Sequence, residues 1–417
     1  MSLITVNGGK KLNGSIRLQG AKNSVLPILA ATVLINGISV IHNCPALSDV
    51  EAAIKILRHL GADVSREGHT VKVDSTGITA YDIPDELMRE MRSSIFFLGA
   101  ISARMGKALL SSPGGCELGP RPIDLHLSAL SELGLDIDEG KGVLNCSCPN
   151  GYKGADINLS FPSVGATENI ILAAVTAKGT THINGAAKEP EISDLADFLN
   201  SAGANIQGAG SDTVIINGVP FLSGATHTVI PDRIEAATYL AAVAATGGKI
   251  ELLNVIPAHL TPVLAILKQS GCEINVSGKN IILTSTARPK RVPVIRTLPY
   301  PGFPTDAGSP LMAMFALADG STMFVENIFE NRYKIVDELR RFGAKIYTNG
   351  RVAVVEGVKS LSGAAAQCTD LRGGAALVVA ALAASGTSEI GKIGHIDRGY
   401  ECLIENLALL GADIKRC

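Results

Sequence analysis

Cations stand at helix beginnings in this chain, where the helix dipole disfavours them. Apolar helical runs open with Ala21-Lys22-Asn23, Met91-Arg92-Ser93, Asp232-Arg233 and Asp370-Leu371-Arg372. Two more open with Gly165-Ala166-Thr167 and Thr305-Asp306, and Arg121, Arg332 and Arg398 sit in loops that enter other helices. Folding alone would favour Asp or Glu at such places. Several cations there predict a bound anion, because backbone N–H groups and the dipole converge on the same point. Pairing with a neighbouring carboxylate explains Arg233 beside Asp232 equally well. For Lys22, Arg121 and Arg398 together the anion is the better reading.

The loop PGGCELGPRP, Pro113 to Pro122, carries a second kind of chemistry. Cys116 follows two glycines and precedes Arg121 by five residues. A lone cysteine is more often a small buried hydrophobe. Here no apolar periodicity surrounds it, so an accessible loop thiol is expected, partly ionised by the nearby guanidinium. Cys146 and Cys148 form a C-x-C pair, but on a strand positions i and i+2 share one face. No His or second Cys pair lies close in sequence, so no metal site is expected.

The elements that must position these groups repeat. A helical run ending in Leu-x-x-x-Gly or a close variant, followed by a short alternating strand, occurs six times: LRHLGADV, LSELGLDI, LNSAGANI, LKQSGCEI, LRRFGAKI and LALLGADI. Their glycines, Gly61, Gly134, Gly203, Gly271, Gly343 and Gly411, recur every 68 to 73 residues. Gly just past an apolar helix is the usual left-handed C-cap. An Ala-rich second helix accompanies each, apolar nearly all round and so expected at a domain centre. The first carries charges (Arg58, Glu132, Asp197, Lys268, Arg340, Arg341) and should face solvent. Each unit reads strand–helix–strand–helix–hairpin, an α/β pattern. After Gly411 only six residues remain, whereas the N-terminus supplies strands with no helix before them. The N-terminal strands therefore complete the last unit. Residues 1–21 and 231–417 form one domain of three repeats and 22–230 the other, with two chain crossings.

Composition agrees with two aliphatic cores. The chain has 417 residues, 46% hydrophobic, 4% aromatic and no Trp, more than one core usually serves. Net charge is −2 with no Lys/Arg run, which argues against nucleic acid or an anionic membrane as partner. No apolar stretch is long enough to span a bilayer, and no signal peptide is visible. Eight cysteines in this length are not a disulfide scaffold,. A cytoplasmic protein is expected.

The motifs GAKNSVLPILAA, PGGCELGPRPIDLH, FPSVGATEN, EPEISDLADFL, PDRIEAATYL, FPTDAGSP, FENRY, TDLRGGAAL and HIDRGYE run in order from residue 20 to residue 401. Together they resemble the motif set of the UDP-N-acetylglucosamine enolpyruvyl transferases, of the EPSP synthase superfamily. The resemblance implies two inside-out α/β barrel domains and transfer of the enolpyruvyl group of phosphoenolpyruvate to the 3-hydroxyl of UDP-N-acetylglucosamine, with no cofactor. Lys22, Arg121 and Arg398 resemble the phosphoenolpyruvate-binding cations, and Arg92 a cation near the loop and the phosphates. Asn23 and Asp306 resemble contacts at the reacting hydroxyl, with Asp306 the base. Cys116 resembles the general acid alkylated by fosfomycin. Asp124, Leu125, Ser163, Val164 and Gly165 resemble uridine and diphosphate contacts, and Ile328 a further substrate contact. Arg332, Asp370 and Arg372 resemble residues that close and order the site.

Three positions depart from the pattern: Ala46, Ser48 and Phe161 stand where some members carry lysines near the anionic substrates. The resemblance also implies a division of labour, with acid and base on opposite domains and closure excluding water. Cations around Cys116 favour its thiolate, and bound anionic substrates would restore the proton an acid needs. The near alternative acts on shikimate 3-phosphate, but that branch opens with a Gly-Ser-Lys-Ser type motif and lacks the Cys loop. An RNA 3′-phosphate cyclase would need a basic surface and a nucleophilic His. A non-catalytic copy would be expected to lose Lys22, Asp306 or Arg398, and all three are present.

Overall fold

A computed structural model describes residues 3–111, 123–140 and 142–417, the side chains of Arg92 and Ser93 excepted. Six four-stranded sheets occur among the described residues, and all share one pattern: two parallel strands, then two joined antiparallel. The sheet built from Val294–Arg296, Ser321–Val325, Val352–Glu356 and Lys345–Asn349 is typical, with one helix after each of its first two strands in sequence.

Two of these sheets recruit the N-terminus. Ile4–Asn7 lies between Thr387–Gly391 and Asp413–Arg416, antiparallel to both. Leu12–Arg17 runs parallel to Gly248–Leu253. The chain divides into two compact units, and apart from the loop around Cys116 one holds Met1–Gln19 and Pro231–Cys417, the other Gly20–Ile230. Each has its own apolar core. Gly20 and Ala21 pack with the second unit rather than with the N-terminal strands. A Cβ on Gly20 would meet the Asn43 carbonyl, and the Ala21 N–H donates to Ile230 O at 2.7 Å.

The local rules that build each unit are steric. The six repeat glycines all adopt positive φ, from 88° to 108°, a region that a Cβ disfavours. At Gly134, Gly203 and Gly343 nothing among the described residues would crowd a Cβ, and the positive φ is what favours glycine there. The Ala-rich helices are buried on every side; Arg233 to Ala244 is a continuous buried run. In one unit the helices Arg233–Thr246, Thr305–Phe315 and Leu371–Ala383 pack against one another. In the other, Phe96–Met105 packs against both Lys22–Ala31 and Val164–Ala174. Gly99 permits the closest approach: a Cβ there would lie 2.4 Å from Asn169 Oδ1, which instead accepts the Gly99 N–H at 2.8 Å. Arg58, Glu132, Asp197, Lys268, Arg340 and Arg341 are all exposed. Cys146 and Cys148 are buried, and burial pushes the Cys146 thiol up to about 11. Among the described residues no helix is long and apolar enough to cross a membrane.

One buried carboxyl makes stability depend on pH. Burial, with Asp232 nearby, pushes Glu235 up to about 8. The folded state therefore favours its protonated form. The stability this contributes is fully present below the unfolded carboxyl pKa. It is lost as pH rises through about 8, at about 1.4 kcal/mol for each pH unit crossed. Glu235→Gln keeps an acceptor for the Gln19 N–H and has no proton to lose. Its Tm should match wild type near pH 5 and exceed it by several degrees near pH 8, as thermal melts at both pH values would register. Equal Tm at both would show an ordinary carboxyl.

Candidate functional site

In the unit containing the C-terminus, polar groups collect at the starts of the buried helices. Asp306 stands in the first turn of Thr305–Phe315. Arg332 Nη2 lies 3.0 Å from its Oδ1, and Arg372 Nε and Nη2 each lie 3.2 Å from its Oδ2. Both arginine side chains are buried, and Asp306 is a quarter exposed. Two cations at this range favour the ionised carboxylate. Burial works against charge on Arg372, but Tyr400, Asp306 and Asp232 outweigh it and hold its pKa above the usual arginine range. Among the described residues, Arg332 Nε and Arg372 Nη1 are buried without a hydrogen-bond acceptor. Such orphaned charged donors are costly, and an anionic or carbonyl ligand would satisfy them.

Surrounding groups hold this arrangement. Asp370 caps Leu371–Ala383, its Oδ1 accepting the Arg372 and Gly373 N–H groups at 3.0 and 2.9 Å. Arg332 Nη2 also donates to Thr305 O at 3.0 Å. The buried Glu326 accepts from Thr297 Oγ1, Thr305 Oγ1 and the Ile328 and Phe329 N–H groups, at 2.7 to 3.0 Å. It thereby fastens the loop carrying Ile328 to the start of the Asp306 helix. Arg398 ends the short turn Ile393–Arg398 and is half-buried.

The other unit gathers a second set. Lys22 is the first residue of Lys22–Ala31, and its Nζ lies 2.8 Å from Asp49 Oδ2, with both side chains largely buried. Ser24 donates to Asp194, whose Oδ1 is 2.9 Å from His227 Nε2. Asn23 follows Lys22 and is half-buried, and Arg92 opens a short turn leading into Phe96–Met105. Ser163 caps Val164–Ala174, accepting the Ala166 N–H at 3.3 Å. Asp124 and Leu125 open Asp124–Glu132, Asp124 exposed and Leu125 half-buried. The next residue, His126, joins the two elements: Asn169 Nδ2 stands 3.1 Å from its Nδ1, and a Cβ on Gly165 would come within 3.1 Å of its ring. Burial drives His126 down to about 4, so the ring is neutral at pH 7. Because Asn169 Nδ2 can only donate, Nδ1 accepts and Nε2 carries the proton.

The structure thus brings Asp306, Arg332, Asp370 and Arg372 into one cluster, and keeps Lys22 with Asp49 in another. Cys116 and Arg121 lie outside the described residues, as does the side chain of Arg92. Ala46 and Ser48 are exposed, and Phe161 is 40% exposed. Sequence reasoning missed Asp49 and Glu326. An acid in a helix's first turn reads as a dipole partner, so Asp49 gave no sign of its ion pair.

The model of the EPSP synthase (3-phosphoshikimate 1-carboxyvinyltransferase) family matches residues 6–407. The UDP-N-acetylglucosamine 1-carboxyvinyltransferase 2 of Caldanaerobacter subterraneus subsp. tengcongensis is 51% identical over 416 residues, covering all of both chains. UDP-N-acetylglucosamine 1-carboxyvinyltransferase 1 of Symbiobacterium thermophilum is also 51% identical, covering 99% of this chain and 94% of its own. Among solved structures, the enolpyruvyl transferase NikO from Streptomyces tendae superposes with a TM-score of 0.90 at 26% identity, covering 100% of this chain and 98% of that one. An EPSP synthase from Acinetobacter baumannii, at 19% identity and TM-score 0.74 over the whole of both chains, shares the fold. The chain belongs to the EPSP synthase family and, within it, to the UDP-N-acetylglucosamine 1-carboxyvinyltransferases.

Proposed function

We propose that this chain transfers the enolpyruvyl group of phosphoenolpyruvate to the 3-hydroxyl of UDP-N-acetylglucosamine and releases phosphate, the first committed step of peptidoglycan precursor synthesis. The observation that carries this reading is full-length 51% identity to relatives named for that reaction. The carboxylate held between two buried arginines with orphaned N–H groups is consistent with it. A phosphate-release assay with phosphoenolpyruvate, comparing UDP-N-acetylglucosamine with shikimate 3-phosphate as acceptor, tests it. Release with shikimate 3-phosphate alone would overturn it. We read the two units as inside-out α/β barrels of three repeats each, supported by six sheets of one pattern. The setting is cytoplasmic.

The chemistry assigns roles. C3 of the enol takes a proton from the acid, Cys116. The sugar 3-hydroxyl adds to C2 and gives its proton to the base, Asp306. The tetrahedral ketal then breaks its bond from C2 to the phosphate oxygen, and C3 returns a proton to restore the enol. Arg332 and Arg372 keep Asp306 ionised, and so in the form that accepts a proton. Lys22, Arg121 and Arg398 hold the phosphate and carboxylate of phosphoenolpyruvate, where arginines offer paired donors. Arg92 contributes charge near the phosphates, and Asn23 meets the reacting hydroxyl. Asp124, Leu125, Ser163, Val164, Gly165 and Ile328 contact the nucleotide sugar, while Asp370 caps the helix that aims Arg372.

Lys22→Ala, Arg121→Ala and Arg398→Ala should each abolish or severely weaken turnover in steady-state assays. Asp49 is buried against Lys22, so Lys22→Ala should also lower Tm. Lys22→Arg preserves the charge and separates the two effects. Near-normal activity in all three alanine variants would sink the anion site.

Asp306→Ala should lose about 10²–10⁴ in kcat with far less change in nucleotide-sugar affinity, measured by titration calorimetry. Lost affinity with unchanged kcat would make Asp306 a binding residue.

Fosfomycin should form its adduct on Cys116, faster with nucleotide sugar present. Cys272 and Cys368 are buried and have raised pKa values, which leaves them unreactive. Cys116→Asp should keep activity and resist the drug, because a carboxyl still transfers a proton but attacks epoxides poorly. Peptide mass mapping reads the outcome, and an adduct on another cysteine would overturn the assignment.

A further inference from the structure

Gln19 is the last residue of its unit before the chain enters the other. Every polar group it has is used. Its N–H donates to Glu235 Oε2 at 2.9 Å, and its carbonyl accepts the Asp232 N–H at 3.0 Å. Its side-chain amide spans the residues after Arg398: Nε2 donates to Gly399 O at 3.1 Å, and Oε1 accepts the Glu401 N–H at 2.8 Å. The orientation of the amide is forced, since a backbone carbonyl can only accept and a backbone N–H can only donate.

The segment so held is fixed from other sides as well. A Cβ on Gly399 would come within 2.6 Å of Leu371 Cδ2, so the backbone there lies against the first turn of the helix that carries Arg372. The buried Tyr400 hydroxyl is 2.8 Å from Thr238 Oγ1, and the Arg372 guanidinium carbon sits 5.3 Å from the Tyr400 ring centre. Residues 399–401 are thus clamped between the start of the Arg233 helix, the start of the Leu371 helix and Gln19. Arg398 projects from the turn immediately before this clamp. A long side chain binds a small anion well only when its Cα is fixed, because otherwise backbone freedom adds to the entropy lost on binding.

We propose that Gln19 is a positioning residue for Arg398: its amide fixes the 399–401 backbone and so sets where the Arg398 guanidinium meets phosphoenolpyruvate. This rests on the reading above that Arg398 binds phosphoenolpyruvate. Its effect is confined to one of the two substrates.

The test compares Gln19→Met, close in shape but without the amide, with Gln19→Ala and Arg398→Ala in the full chain. Two lost hydrogen bonds predict a rise in KM for phosphoenolpyruvate of about tenfold in both Gln19 variants. KM for UDP-N-acetylglucosamine should stay within about twofold and kcat should fall less than kcat/KM for phosphoenolpyruvate. Arg398→Ala should raise the same KM further. An unchanged phosphoenolpyruvate KM in the Gln19 variants, with a large rise in Arg398→Ala, overturns the positioning role and leaves Arg398 in place. An equal rise in both KM values with a lowered Tm also overturns it, as the mark of a merely structural residue. No effect of Arg398→Ala on phosphoenolpyruvate KM sinks the reading of Arg398, and the inference with it.

Discussion

Three apolar helices packed side by side can carry charge only at their ends, and the polar chemistry of each unit follows from that constraint. Arg233–Thr246, Thr305–Phe315 and Leu371–Ala383 are buried along their lengths. A charge in their middles would be desolvated without a partner, which costs far more than a surface charge. At the N-termini, unpaired backbone N–H groups and the dipole already favour anions. Asp232 and Asp370 answer that demand as caps. Asp306 sits in the first turn of its helix and is not a cap; two arginines hold its carboxylate instead.

The arginines are the costly members of this arrangement. Burying a guanidinium is tolerable only with an ionic partner and well-aimed hydrogen bonds. Asp306 supplies the charge for both, but one nitrogen on each has no acceptor among the described residues. Stability alone would be served better by apolar residues of similar volume. An unsatisfied donor beside a carboxylate that is a quarter exposed is what a site awaiting an anionic or carbonyl ligand requires. The Lys22–Asp49 pair obeys the same rule in the other unit, where a largely buried cation at a helix start is retained by a fully buried acid.

The repeat was legible in the sequence because its signals are local. A glycine that must adopt positive φ follows each outer helix, and six of them in phase give the strand–helix order before any contact is known. The outward charges were legible for the same reason. The supports of the site were not. Gln19 meets Gly399 and Glu401, residues far downstream. Glu326 binds Thr297 and Thr305 across a turn and a helix start. Nothing in a Gln between a strand and a glycine announces such a partner. The resemblance to known enzymes named Asp306, Arg332 and Arg372 separately, and the structure adds that one carboxylate takes both guanidinium groups.

The chain crossings carry the same logic a step further. One runs from Gln19 into Lys22–Ala31, the other from Ile230 into Arg233–Thr246, so each crossing leads directly into the start of an inner helix. Each is anchored within its own unit by the other strand of the crossing: Ala21 N–H on Ile230 O, and Asp232 N–H on Gln19 O. Asp194 adds a bond to the Ile230 N–H while also holding Ser24, two residues beyond Lys22. Glu235 does the equivalent for Gln19. A buried acid therefore fastens the connecting backbone in each unit, beside a cation at the start of an inner helix. The cost is visible at Glu235, which the fold holds protonated well above the ordinary carboxylate range. An apolar residue there would leave the Gln19 N–H without its acceptor and loosen the backbone from which the 399–401 clamp is hung.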